Sequence, residues 1–175
     1  ALRWMDPPTS AFMRRTGAAL RTTPARGDVQ QLDDRTPPAI EYTWVPEVGL
    51  SPELRLAAIA AEDVYFAVHA GFDWESLRSA RADNKAGGRR RRGGSTISQQ
   101  VAKNVFLWQG RSWVRKGLET YFTFMIELLW GKKRILDVYL NVIEMGDGIF
   151  GIEKASQIYF NKPAKDLTRQ QAAMI

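Results

Sequence analysis

Residues 51–69 read as a helix with apolar side chains on nearly every face, so the rest of the chain has to be built around it. Ser51 is a good N-cap, Pro52 suits the first helical position, and Glu53 suits the positive end of the helix dipole. At about 100° per residue, Leu54, Ala58, Ala61 and Tyr65 share one face. Leu56, Ile59, Ala60 and Val64 cover much of the remainder, and the run stops near His69, before Gly71. Further helical segments follow to cover it: Ser98 to Leu107, Ser112 to Trp130, Lys132 to Ile143, and Gly151 to Phe160. Gly146-Asp147-Gly148 closes the third of these, and Thr168 with Gln171 makes a capping box for a last helix that stops within a few residues at Ile175. One short strand is expected at Ile40 to Val45, and no repeat is visible, so the chain is mainly α.

With 175 residues there is material for one well-packed domain. The first 48 or so residues are punctuated by prolines and read as irregular. There is no cysteine and one histidine, His69, which excludes a disulfide framework and a multi-histidine metal site. The net charge of +6 has a single source: residues 78–92 hold seven of the 25 cations and one of the 19 anions, leaving 18 of each elsewhere. Within that segment Asp83 to Gly94, with four glycines and Arg89 to Arg92, reads as a mobile loop. The longest weakly charged stretch, Thr120 to Gly131, is broken by Glu127 and falls short of the ~20 apolar residues a bilayer span needs. No signal peptide is visible.

Three segments hold chemistry-bearing side chains. Glu62 and Asp63 come late in the first helix, beside its apolar face, where a carboxylate is costly unless paired or used. Position alone favours a structural role for Glu62, as an ion-pair partner of a nearby arginine or as a cap, over a working carboxylate. Gly93-Gly94-Ser95-Thr96-Ile97-Ser98-Gln99-Gln100, followed by Lys103 and Asn104, lets backbone amides approach an anion at a helix start. A glycine turn into a cap by Ser95 or Thr96 explains the same pattern equally well, and the spacing is not that of a P-loop. Arg111, Arg115 and Lys116 precede Glu119, which is either an i,i+4 surface ion pair worth ~0.3–0.5 kcal/mol or a second carboxylate facing a cationic pocket.

Taken in order, these segments resemble the signatures of the peptidoglycan glycosyltransferases, glycosyltransferase family 51. Glu62 to Phe66 with His69 to Asp73 resembles the first, Gly93 to Gln100 with Lys103-Asn104 the second, and Arg115 to Glu119 the third. Lys133 to Asn141 with Gly146 resembles the fourth and Ala155 to Phe160 the fifth. The similarity is closest to the monofunctional biosynthetic transglycosylases, including Trp4 to Arg14 and the arginine-rich insert. The resemblance implies a lysozyme-like larger lobe with a smaller membrane-facing jaw lobe. It divides the chain into 1–50, an irregular segment following a removed membrane anchor, and 51–175, a glycosyltransferase domain incomplete at its C-terminus.

By the same resemblance, the chain joins lipid II into glycan strands with inversion at the anomeric carbon, releasing undecaprenyl diphosphate at the periplasmic face of the bacterial inner membrane. A sugar hydroxyl is a poor nucleophile and needs a base, the role the resemblance gives Glu62. Diphosphate leaves readily and needs cations, here Lys103 and Arg111. Glu119 becomes the second essential carboxylate, orienting the donor or stabilising developing positive charge. Asp63, Ser95, Thr96, Gln99, Gln100, Asn104, Arg115 and Lys116 complete the expected substrate-binding set. No organic cofactor or protein metal cage is implied, though Mg²⁺ at the substrate diphosphate is compatible with it. Expected partners are lipid II, the growing lipid-linked glycan, the membrane surface and other cell-wall synthesis proteins. Val105 to Trp108 and Trp113 either dip into the bilayer interface or belong to the core. Two rivals are a lysozyme-like glycan hydrolase, which has no use for diphosphate-binding cations, and a nucleic-acid module around Arg89 to Arg92, which lacks any recognition motif.

Overall fold

The computed structural model describes Ser10, Ala11, Met13 and residues 42–85, 94–108, 110, 112–146 and 148–175, with backbone only at 81 and 83–85. Its elements in order are α1 (Pro52–Glu62), α2 (Trp74–Lys85), α3 (Ile97–Phe106), α4 (Trp113–Leu129), α5 (Lys132–Val142), β1 (Glu144–Gly146), β2 (Ile149–Phe150), α6 (Ile152–Phe160) and α7 (Arg169–Met174). The chain is mainly α, as its periodicity implies, and β1 and β2 form one antiparallel hairpin.

The helix around which the molecule is built is not α1. Ile97, Ser98, Gln99, Val101, Ala102, Asn104 and Val105 are all buried on α3, and every residue from Ile135 to Val142 is buried on α5. These two helices pack on each other, and α4 lies against both. α1 ends at Glu62, seven residues short of the expected His69, because Asp63 leaves the helical region (φ −158°, ψ 76°) to engage other partners. The helical periodicity of the sequence thus continues past the true end of the helix. Leu54 is the one fully buried residue of α1, Leu56 is 62% exposed, and α7 packs against the helix on one side.

Three further expectations change. Residues 42–46 form no strand, while Ile40 lies outside the described residues. The buried Asn141 side chain takes the place of a neighbouring strand: Val45 N–H donates to its Oδ1 (2.7 Å) and its Nδ2 donates to Val45 O (3.0 Å). Gly146 and Gly148 belong to the hairpin turn rather than to a simple helix stop. Residues 83–85 continue α2, which sequence reading passed over; the rest of the expected arginine loop, 86–93, lies outside the described residues.

The remaining boundaries agree within about one residue, and four of the helix starts carry local side-chain caps. Thr96 and Thr168 make capping boxes with Gln99 and Gln171, and Ser51 and Ser112 accept the N–H groups of Leu54 and Arg115. Gly151 closes α5 onto α6: its φ is +80° and a Cβ there would lie 2.7 Å from Asn141 O, so only glycine fits. Asp137, one turn before Asn141, takes both Nε (3.1 Å) and Nη2 (2.9 Å) of Arg55, whose other donors reach Leu50 O and Glu47 O. The fourth signature thus clasps the segment that enters α1. Burial pushes the Asp137 carboxyl pKa up, and the Arg55 guanidinium opposes that shift.

Candidate active site

The end of α1, the start of α3 and the first half of α4 bring most of the expected side chains together. Glu62, the last residue of α1, keeps its side chain exposed, and its Oε2 accepts a hydrogen bond from Gln100 Nε2 (2.8 Å). No ion pair to Glu62 is found among the described residues, where its hydrogen-bond partner is the neutral amide of Gln100. The buried Tyr139 lies close enough for Glu62 to help burial raise the phenol pKa.

Asp63 turns the other way. It is buried, accepts His69 Nε2–H with both oxygens (2.9 Å each), and accepts Ile97 N–H at the start of α3 (3.0 Å). Gly71 N–H donates to His69 Nδ1 (3.1 Å), which leaves the ring proton on Nε2, facing Asp63. The adjacent carboxylates of the first signature are therefore split between an open position and a structural one.

On α3, Thr96 and Gln99 use their side chains in the capping box, and Thr96 Oγ1 also donates to Gly71 O (2.7 Å). Ser95 is exposed at the helix start and Asn104 is buried further along. Gln100 and Lys103 are i,i+3 neighbours, about 4.5 Å apart along the helix axis. One faces Glu62. The other lies in the field of Glu119, and burial, assisted by Arg115 and Lys116, pulls the Lys103 pKa down while Glu119 opposes that shift.

Glu119 is 4% exposed, which overturns the reading of Arg115–Glu119 as a surface pair. Arg115 Nη1 donates to its Oε2 (3.0 Å) and Lys116 Nζ to its Oε1. The result is a buried carboxylate held by two cations, with Lys103 within reach of its charge. Beside it an open cleft of about 280 Å³ is lined by Ser112, Trp113, Arg115 and Lys116. Arg111 lies outside the described residues.

Of the aromatic stretch, Val105 and Leu107 are core and Phe106 stacks on Phe122 with ring centroids 4.7 Å apart. Trp108 and Trp113 are exposed, Trp113 by 92%. Val114, Tyr121, Phe124 and Leu128 continue an exposed apolar stripe down α4, at helical spacings of seven, three and four residues. No helix among the described residues is long and apolar enough to cross a membrane.

Sequence reading gave no role to Glu127, Lys132 or Ser98. Glu127 Oε1 accepts both Ser98 Oγ and Lys132 Nζ (2.7 Å), and Lys132 Nζ lies 4.6 Å from the Phe66 ring centroid. The one available signal was a carboxylate inside an otherwise apolar helix.

Comparison with known proteins agrees with the five-signature resemblance. A family model described as transglycosylase matches residues 30–175. The chain is 56% identical over 136 residues to the biosynthetic peptidoglycan transglycosylase of Mannheimia succiniciproducens, covering 78% of this chain and 55% of that protein. It is 59% identical over 132 residues to that of Escherichia coli O127:H6, covering 75% and 54%. Against the Rhodospirillum centenum protein of the same name it is 47% identical over 173 residues, covering 99% and 68%. The chain thus spans little more than half the length of the first two relatives. With a match across most of its residues and identities far above 30%, the chain belongs to the transglycosylase family.

Proposed function

We propose that the chain is the catalytic part of a peptidoglycan glycosyltransferase, polymerising lipid II into glycan strands with inversion and release of undecaprenyl diphosphate. The observation that carries this reading is the pairing on α3. Gln100 orients an exposed carboxylate, and one turn away Lys103 joins Arg115 and Lys116 around Glu119. A base beside a cationic pocket suits attack by a sugar hydroxyl on a carbon whose leaving group is a diphosphate. Glu62 takes the proton of the acceptor hydroxyl as the new glycosidic bond forms. Lys103, Arg115, Lys116 and Arg111 then receive the charge released onto the diphosphate.

Glu119 holds Arg115 and Lys116 in place and keeps the pocket from being overwhelmingly positive. Asp63, Thr96 and Gln99 support the reading as framework: each fixes the turn or helix start on which Glu62, Ser95, Gln100 and Asn104 are presented. Among the described residues no three His, Asp or Glu side chains gather into a metal cage. A Mg²⁺ at this site would be held by the substrate's own phosphate oxygens, and no step above runs through it.

The substrate's lipid stays in a bilayer, so the enzyme works against the membrane surface, at the periplasmic face of the inner membrane. Trp108, Trp113 and the α4 stripe are the side chains available for that contact. Other cell-wall synthesis proteins are its natural partners there.

The test is the product. Incubated with labelled lipid II, the protein is expected to build long lipid-linked glycan. Shortening of finished glycan with no polymer formed would instead make it a hydrolase.

A further inference from the structure

We propose that Glu127 and Lys132 are positioning residues for Glu62, acting through a closed ring of contacts that joins three helices and the turn after α1. The inference rests on the reading of Glu62 as the base. Starting at α3, Ile97 N–H donates to Asp63 Oδ2 (3.0 Å), and Asp63 receives His69 Nε2–H (2.9 Å). The His69 ring meets Phe66 edge-on at 6.2 Å, and Lys132 Nζ lies 4.6 Å from the Phe66 centroid. Lys132 then donates to Glu127 Oε1, which also accepts Ser98 Oγ, and Ser98 is the neighbour of Ile97. The ring closes where it began.

Glu62 and Gln100 hang from this ring one and two residues away, at Asp63 and Ser98, and their hydrogen bond spans it. Gly71 presses the turn onto the same carboxylate: a Cβ there would lie 2.9 Å from Thr123 Cγ2 and 3.1 Å from Glu127 Cγ. None of the expected substrate-binding side chains touches Glu127 or Lys132 in the contacts above. Their effect on the reaction therefore runs through the placement of residues 62–71 against α3. Neutralising Glu127 frees Lys132 from its place over Phe66, and neutralising Lys132 removes the cation from that ring; in both cases the turn shifts relative to Gln100. Displacements of about 1 Å at a reacting group cost on the order of 100-fold in rate.

The experiment compares Glu127→Gln, Lys132→Met and Lys132→Arg with the wild type in two measurements. The first is polymerisation of labelled lipid II. The expected result is a kcat at least about tenfold lower for the first two variants with KM within about twofold, and near wild-type kcat for Lys132→Arg. The second is the ring ¹⁵N NMR spectrum of His69, which is directly assigned because it is the chain's one histidine. Its Nδ1 and Nε2 signals are expected to move in Glu127→Gln and Lys132→Met and to return in Lys132→Arg. Unmoved His69 signals, or a kcat within twofold of wild type, overturn the proposal. Lys132→Met, at the more exposed end of the pair, decides alone if Glu127→Gln does not fold. A wild type that makes no polymer overturns the reading of Glu62 as a base, while the His69 signals still decide the coupling.

Discussion

Replacing Asn141 by alanine is expected to weaken the fold more than any surface change in the site. Asn141 has no solvent exposure, and Val45, whose N–H and C=O it binds, is 7% exposed. The substitution leaves both groups of Val45 without a partner, at about 1–3 kcal/mol for each buried group. Its third bond, Nδ2 to Asp137 O, adds little, because that carbonyl lies inside α5. Alanine returns about 0.7 kcal/mol through its better helix propensity. The net loss is about 1–5 kcal/mol, a large part of the ~5–15 kcal/mol that holds a domain together. Urea unfolding followed by tryptophan fluorescence measures it, and Trp44, one residue from Val45, reports on the segment at stake. A loss under about 1 kcal/mol would show that water satisfies Val45 once Asn141 is gone, and that the fourth signature is not the clasp described here.

Other outcomes follow from the same structure. Gly71→Ala is expected to destabilise by about 1–2 kcal/mol from its +86° φ alone, with the Thr123 contact adding to it, as read from the thermal midpoint. Lys103→Met is expected to stabilise the fold near neutral pH while abolishing polymerisation, because burial penalises the charged amine. The sign follows from the lowered pKa: as pH rises toward the ordinary 10.5, folded Lys103 loses its proton before the unfolded chain does. Wild-type stability therefore gains on the variant in that window, and a gap that widens with pH contradicts the assignment. Trp113→Ser with Phe124→Ser is expected to lower binding to anionic vesicles severalfold with an unchanged unfolding midpoint, since both side chains are exposed. Unchanged vesicle binding would sink the role of the α4 stripe.

The parts of the fold that were legible in the sequence are those whose cause is local. Ser51, Thr96, Ser112 and Thr168 announce helix starts within four residues of themselves, and α1, α3, α4 and α7 begin where those signals put them. α2 was missed because its apolar content is low, although Asp73 accepts Ser76 N–H (2.9 Å) and is an ordinary start signal. The end of α1 was illegible for a different reason. Asp63 leaves the helix to meet His69 and an amide 34 residues on, and no window along the chain contains that partner. Asn141 and Val45 are 96 residues apart, so a side chain completing a missing strand was equally invisible.

The site divides along the same line. Residue types and order pointed to Glu62, Lys103 and Glu119 through the family resemblance. Whether a carboxylate is open or enclosed is decided by packing between α1, α3 and α4. That packing leaves Glu62 exposed on Gln100 and buries Glu119 among cations. The same packing puts Thr96 and Gln99 to structural use.

The most direct test of Glu62 as the base is polymerisation of labelled lipid II by the wild type and by Glu62→Gln. The amide keeps the size of the side chain and an oxygen for Gln100 to bind, but has no basic carboxylate. Polymer is expected from the wild type and at least a 100-fold lower rate from Glu62→Gln, with the fold intact. A Glu62→Gln protein that polymerises at the wild-type rate would contradict the assignment and move the base elsewhere.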